Sequence, residues 1–172
     1  MSHEAQPTDA IRWLTPHELE SWMPFNGMLL ALLSALDAQL RDDGLSLFSY
    51  LVLAGLSDAP ERTRPMSDLA VLANGSLSRL SHAVSTLEKR GWVRRCRSPE
   101  NGRITVATLT DAGYDKLAAT APGHVETVRR LVLDVISEEQ LQQLGTISQA
   151  ILTAMDAPCP PPQGGAKVKP MA

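Results

Sequence analysis

Apolar positions recur every three or four residues over most of the chain, which is the spacing of amphipathic helices. This pattern predicts a first helix that ends at Asp42-Asp43-Gly44, a second helix over 47–56 and a last helix ending near Met155. Two helix starts have the form of a capping box, Thr15-Pro16-His17-Glu18 and Ser137-Glu138-Glu139-Gln140. The pattern therefore indicates a protein built mainly from helices.

Two shorter helices are predicted in the middle of the chain, on either side of the turn sequence Asn74-Gly75. Ser67 is expected to cap the first of them, and Ser76 or Ser78 to cap the second. Gly91 is expected to end the second helix at its C′ position. The buried stripe of that helix is predicted to consist of Leu80, Val84 and Leu87.

After Gly91 the pattern changes to that of β-strands. Residues 92–97 and 104–109 are rich in strand formers, and Asn101-Gly102 between them is a hairpin signal. Residues 61–65 are polar and turn-like. A short helix, a tight turn, a second helix and a hairpin together predict a winged helix–turn–helix.

Two prolines interrupt helical patterns. Pro24 is expected to kink or break the first helix, and Pro122-Gly123 to bend or break the helix that begins at Thr110-Asp111. The apolar stripe of that second helix is predicted to continue to Val135.

The composition limits the classes of protein to which this chain can belong. The chain has 172 residues with 44% hydrophobic content, which suits one domain with a real core. It contains no apolar run long enough to span a bilayer and no signal-peptide pattern, so a cytoplasmic location is expected. Cys96 and Cys159 lack zinc spacing and the four histidines are scattered, so no metal and no cofactor are expected.

Charge is distributed unevenly along the chain. Residues 76–104 carry seven basic and two acidic side chains, a net charge of +5, whereas the whole chain carries −3. The remainder is therefore −8. A basic segment in an acidic chain is typical of the electrostatic footprint of a nucleic-acid interface, with a merely solvated charged face as the alternative.

Polar side chains on the outer face of the second central helix are suited to the major groove of double-stranded DNA. Ser76 and the free N–H groups at the helix start are natural phosphate ligands. Arg103 beside the hairpin tip is the candidate for an adjacent minor groove, and some wing arginines are expected to serve the scaffold instead. The predicted DNA-binding residues are Ser67, Ser76, Ser78, Arg79, His82, Ser85, Thr86, Lys89, Arg95, Arg97 and Arg103.

Several segments resemble successive signatures of the MarR family in the right order over about residues 14–155. They include Met66-Ser67-Asp68-Leu69-Ala70, Ser76-Leu77-Ser78-Arg79-Leu80-Ser81, Leu87-Glu88-Lys89-Arg90-Gly91-Trp92-Val93 and Leu109-Thr110-Asp111-Ala112-Gly113. The resemblance implies six helices, a β-wing, and a first strand between the second and third helices. It also implies an intertwined homodimer, which would read a pseudo-palindromic operator.

The expected organisation has five segments. A flexible arm over 1–13 precedes a dimerisation helix over 14–43, and the winged helix–turn–helix covers 44–109. Two further dimerisation helices cover 110–156, and the proline- and glycine-rich residues 157–172 are expected to be disordered.

The wing tip departs from the family pattern. Where relatives usually carry Asp-Arg-Arg, with an Asp–Arg pair bracing the hairpin, this chain has Asn101-Gly102-Arg103. The resemblance therefore implies a more flexible wing that makes fewer phosphate contacts.

The family resemblance also implies a repressor that a small aromatic effector releases from DNA. The candidate lining residues, for which ordinary core packing is the alternative, are Trp22, Phe25, Met28, Phe48 and Tyr50. Two other functions remain open: redox sensing through Cys96, which is otherwise a partly buried strand residue, and a winged-helix protein–protein adaptor. No nucleophile elbow, H-E-x-x-H helix or phosphate-binding glycine loop is present, so an enzyme is not expected.

Overall fold

The computed structural model describes residues 11–99 and 101–157. The predicted arm over 1–13 and tail over 157–172 lie almost wholly outside these residues. By its contacts the chain forms two units, the first through Ser34 and the second from Ala35 onward. No helix in the described residues is long and apolar enough to cross a membrane.

The described residues contain six α-helices and three strands, which confirms the predicted mainly helical fold with a β-wing. The helices are α1 (Pro16–Asp42), α2 (Leu47–Ser57), α3 (Met66–Leu72), α4 (Leu77–Lys89), α5 (Asp111–Leu131) and α6 (Glu138–Ala154). The strands are β1 (Thr63–Pro65), β2 (Val93–Arg97) and β3 (Thr105–Leu109), and short 3₁₀ turns cover Pro60–Arg62 and Leu133–Val135.

The core of the second unit lies between α2, α3, α4 and the sheet. Leu53, Leu56 and Leu69 are fully buried there. The predicted stripe of α4 is confirmed, because Leu80, Val84 and Leu87 are its buried residues. Burying each of these side chains contributes about 1.5–3 kcal/mol, so the orientation of α4 about its axis is fixed.

The three strands form an antiparallel sheet in the order β1-β3-β2. Val93 pairs with Leu109 and Arg97 with Thr105, which confirms the predicted hairpin. The turn-like interpretation of residues 61–65 was wrong in part, because Thr63 pairs with Thr108 and Pro65 with Val106. The two paired threonine hydroxyls also lie 2.8 Å apart, within hydrogen-bonding distance. The strand implied by the family resemblance is therefore present.

The start of α3 differs from the prediction. Pro65, not Ser67, occupies the N-cap position with extended φ and ψ of −56° and 142°, because β1 leads directly into the helix. Ser67 lies within the first turn, where its hydroxyl donates to Asp68 at 2.9 Å.

The helices continue through both prolines, so neither proline breaks its helix, and the alternatives of a kink at Pro24 and a bend at Pro122 stay predictions. A proline removes a single N–H donor, and in helices this long the hydrogen bonds on both sides are kept. The prediction that the apolar stripe runs on to Val135 in one helix is also wrong. The backbone leaves helical geometry at Val132 (φ −130°, ψ −61°), among β-branched residues that are weak helix formers.

The junction between α4, the sheet and α5 explains two of the family signatures. Gly91 has a φ of +73°, as predicted for a C′ glycine, and its carbonyl accepts the Thr110 hydroxyl at 2.7 Å. The same hydroxyl caps α5 by accepting the Gly113 N–H at 3.0 Å. A Cβ on Gly113 would lie 2.0 Å from the carbonyl oxygen of Trp92, so only glycine fits there.

Candidate nucleic-acid interface

The outer face of α4 presents polar side chains to solvent. Ser76 caps the helix by accepting the Arg79 N–H at 3.2 Å, which decides between the two predicted capping serines. Ser78, His82 and Lys89 are exposed on the face opposite the core. Thr86 is also exposed and donates to the His82 carbonyl at 3.2 Å, whereas Ser85 is half-buried.

Arg79 is held against an aromatic ring at the start of α4. Its guanidinium carbon lies 4.2 Å from the ring centroid of Phe48 on α2, a cation–π contact. A Cβ on Gly75 would lie 2.6 Å from the same ring, so the helix–turn–helix turn packs closely on Phe48. Phe48 is thus a platform beneath the turn.

The other end of α4 is tied to the turn between α1 and α2. The Arg90 guanidinium donates to the Gly44 carbonyl at 2.6 Å, and Gly44 has a φ of +71°. A shallow cleft of about 400 Å³ between these two attachments is lined by Phe48, Arg79 and His82, among others. Both ends of α4 are therefore anchored on the α2 side.

An ion pair connects α4 with the wing. Glu88 accepts the Arg95 backbone N–H at 2.8 Å and its Nε–H at 2.6 Å. Desolvation alone would raise the pKa of Glu88, but the hydrogen bonds and charge of Arg95 outweigh it and hold that pKa below its ordinary value. Arg95 was predicted to bind DNA; in the structure these contacts hold its guanidinium against α4.

The wing tip is closed by hydrogen bonds to backbone groups. Arg97 donates to the Gly102 carbonyl at 3.3 Å and to the Arg103 carbonyl at 3.5 Å. The Asn101 side-chain oxygen accepts the Arg103 N–H at 3.1 Å. The Arg103 side chain itself is exposed, with no hydrogen bond or ion pair to the described residues. These contacts lie at the wing tip, where this sequence lacks the family's Asp–Arg pair; the more flexible wing stays a prediction.

Two further residues singled out from the sequence, Ser67 and Cys96, lie on α3 and β2. Ser67 is exposed on the first turn of α3. Cys96 is exposed on β2, so its description as a partly buried strand residue was wrong; Val93, three residues earlier, is the buried residue of that strand. Cys159 lies outside the described residues.

The predicted effector-pocket residues do not converge in either unit. Trp22 and Phe25 contact each other in the first unit, with ring centroids 5.9 Å apart, and Met28 is exposed there. In the second unit Phe48 faces α4, whereas Tyr50, two residues further along α2, faces α5.

Tyr50 lies beside His124, a contact that the sequence did not indicate. Its ring centroid is 4.4 Å from that of His124, and burial raises the pKa of Tyr50 and lowers the pKa of His124. Three buried side-chain atoms have no hydrogen-bond partner in the described structure: Gln39 Oε1, Thr120 Oγ1 and His124 Nδ1. Buried polar atoms normally have partners, so each of these three leaves a hydrogen bond unmade.

Sequence reasoning missed three residues of the interface. Phe48 was assigned to a pocket, while Glu88 and Arg90 were counted only as charges or as part of a motif. The charge of Glu88, one of two acidic residues in the basic segment 76–104, is the signal that could have indicated an ion pair with the wing. Among residues 11–99 and 101–157, no group of three His, Cys, Asp or Glu side chains is placed to hold a metal ion.

This geometry is that of a DNA-binding winged helix–turn–helix. Residues 43–104 match the model of the MarR family. The chain is 42% identical to Sco3205 of Streptomyces coelicolor, a MarR-family regulator solved in complex with DNA, with a TM-score of 0.82 over 86% of this chain and 92% of that one. It is 32% identical to AbsC of the same organism, a MarR-family regulator, with a TM-score of 0.82 over 86% of this chain and all of that one.

A curated relative, the transcriptional repressor MprA of Escherichia coli K12, is 24% identical over 125 residues, which is 73% of this chain and 70% of MprA. The chain belongs to the MarR family. It is a DNA-binding transcriptional regulator of that family.

Proposed function

We propose that the protein is a homodimeric repressor that inserts α4 into the major groove of each half of a pseudo-palindromic operator. The observation that carries this proposal is the outer face of α4, where polar side chains are exposed while the core stripe and both helix ends hold the helix in place. The repressor function is supported by the likeness to MprA.

The proposed contacts fall into three groups. Ser78, His82 and Thr86 reach base edges, because they share the outer face of α4. Phosphates are bound by the first turns of α3 and α4, by Ser85 in the middle of α4 and by the basic side chains at the rim. The residues assigned to phosphate binding are Ser67, Ser76, Arg79, Ser85, Lys89 and Arg97.

Arg103 is proposed to enter the minor groove next to each half-site. Its exposed side chain and its place beside the hairpin tip support this role. Each phosphate contact contributes about −0.9 to the slope of log K against log salt. In a salt titration of operator binding, Arg103→Ala should therefore make this slope less negative. An unchanged slope would remove Arg103 from the proposed DNA contacts.

The dimer is proposed to form through α1, α5 and α6. None of the residues of α6 is buried, although the helix carries an apolar stripe that includes Leu141, Ile147 and Ile151. Exposed apolar side chains of this size mark an interaction surface, and a two-fold partner would cover them. Light scattering after size exclusion should give the mass of two chains, and Ile147→Asp should shift it towards one chain.

A small aromatic effector is proposed to bind beside Tyr50 and His124. An aromatic acid or phenol would stack on these rings and supply partners for the unsatisfied atoms of Gln39 and Thr120. Benzoate and phenol are the simplest probes. Either probe should raise the melting temperature of the wild type but not that of His124→Ala. Either probe should also lower the affinity of the wild type for the operator. The absence of any shift in melting temperature with every aromatic acid and phenol tried would contradict this site.

Binding of double-stranded DNA tests the proposal as a whole. Fluorescence anisotropy with the DNA upstream of the protein's own gene should show salt-sensitive, sequence-selective binding at a stoichiometry of two chains per site. Failure to bind any duplex would favour the adaptor function instead.

A further inference from the structure

Leu77 is an apolar side chain at the first position of α4, and it is 58% exposed. Every residue between 66 and 89 is described, and only Val71 and Leu77 are large apolar side chains that are exposed in that segment. The other large apolar residues of α4 are buried against the core.

The side chains next to Leu77 at the start of α4 do not cover it. The Ser76 hydroxyl is used by the cap, since it accepts the Arg79 N–H at 3.2 Å. The Arg79 side chain turns back over Phe48, 4.2 Å from its ring centroid. Ser78 is short. Leu77 is therefore the longest side chain left free to extend from the first turn.

The residues at the start of a recognition helix are those that contact base edges in the major groove. Hydrogen-bond donors and acceptors line that groove, and its one apolar feature is the 5-methyl group of thymine. A leucine side chain has neither donor nor acceptor, so it can distinguish bases there only through that methyl group.

We infer that Leu77 contacts the 5-methyl group of a thymine in each half-site and so determines part of the operator sequence. The inference rests on the proposed function, in which α4 enters the major groove. It adds a specificity-determining residue that no charge or hydrogen-bonding pattern indicates.

The test replaces single thymines by deoxyuridine, which removes only the methyl group. The operator is first obtained by selecting tight binders from a random duplex pool with the full chain, and each thymine is then exchanged in turn. Affinities are measured by fluorescence anisotropy for the wild type, Leu77→Ala and the control Val71→Ala, whose exposed apolar side chain lies on α3.

For the wild type, exchange of one thymine in one half-site should weaken binding about fourfold, the value of one buried methyl group. Exchange in both half-sites should weaken it about 15-fold. The penalty should disappear in Leu77→Ala and persist in Val71→Ala. Because Leu77 is exposed, its substitution should leave the melting temperature unchanged, which separates a lost contact from lost folding.

Two results would overturn the inference alone: a wild type that tolerates deoxyuridine at every thymine, or a Leu77→Ala variant that keeps the fourfold penalty. If no duplex is bound or selected, the proposed function fails and this inference fails with it.

Discussion

The ion pair between Glu88 and Arg95 gives the sharpest test of how the wing is positioned. Replacing Glu88→Gln keeps the shape of the side chain and removes its charge. It weakens the hydrogen bonds from the Arg95 backbone N–H, at 2.8 Å, and from the Arg95 guanidinium, at 2.6 Å through Nε. These bonds connect α4 with β2, so their loss loosens the wing relative to the recognition helix.

The expected loss of stability follows from the exposure of the pair. A hydrogen bond to a charged group contributes about 1.5–3 kcal/mol when it is well shielded. The Arg95 and Glu88 side chains are 31% and 27% exposed, so solvent screening lowers that contribution. We expect Glu88→Gln to lower the free energy of unfolding by about 1–2 kcal/mol in a denaturant titration at pH 7.

The effect should depend on pH with a definite sign. Because the folded-state pKa of Glu88 lies below its ordinary value of 4.5, the carboxylate contributes its full stability above that pH. The contribution is lost as the pH falls through the lowered folded value. The difference in stability between wild type and Glu88→Gln should therefore shrink in acid.

Measurements of DNA binding distinguish a positioning role of Glu88 from the general electrostatic effect of its charge. Removing a negative charge beside the DNA should by itself strengthen binding to every duplex. If Glu88 orients the wing, binding to a scrambled duplex should tighten while binding to the operator weakens about fivefold, the equivalent of about 1 kcal/mol. Glu126→Gln on α5 is the matched control and should leave the ratio of the two affinities unchanged. An equal tightening on both duplexes would refute the positioning role of Glu88.

Three other predictions use thermal or denaturant unfolding and anisotropy. Gly113→Ala should destabilise the fold by about 1–3 kcal/mol because its Cβ meets a backbone carbonyl, whereas Gly145→Ala, which meets nothing within 4 Å, should not; equal effects would contradict the close packing. The wild type should lose stability as the pH falls below 6.5, because burial lowers the pKa of His124 in the folded state but not in the unfolded state. His124→Leu should make this loss smaller. Parallel pH profiles of wild type and variant would contradict this. Phe48→Leu should weaken operator binding about two- to fivefold, because the ring positions Arg79. Added to the variant Arg79→Ala, the same substitution should cause no further loss of affinity. Additive losses in the double variant would show that the stacking does not position Arg79.

The helix–turn–helix and wing could be predicted because their signals are local. The Ser76 cap, the buried stripe of α4 and the C′ glycine at 91 depend on residues within one or two helical turns of each other. The hairpin depends on a short turn between two strand-forming segments. Local spacing determines these features, so they can be read from one sequence.

The features that could not be predicted depend on packing between distant residues. β1 has only three residues, ends in a proline and is a strand only because β3 lies beside it. Phe48 is far from Arg79 in sequence, and only the packing of α2 on α4 makes its ring a platform. In the same way, the contact of Tyr50 with His124 joins α2 to α5, and no motif marks it.

Selection of operator sequences from a random duplex pool with the full chain tests the central claim most directly. If two copies of α4 bind adjacent major grooves across a two-fold axis, the selected sequences should contain two inverted half-sites whose centres are about 10–11 base pairs apart. No enrichment over the starting pool, or enrichment of a single unrepeated site, would contradict the account of this protein as a dimeric reader of a pseudo-palindromic operator.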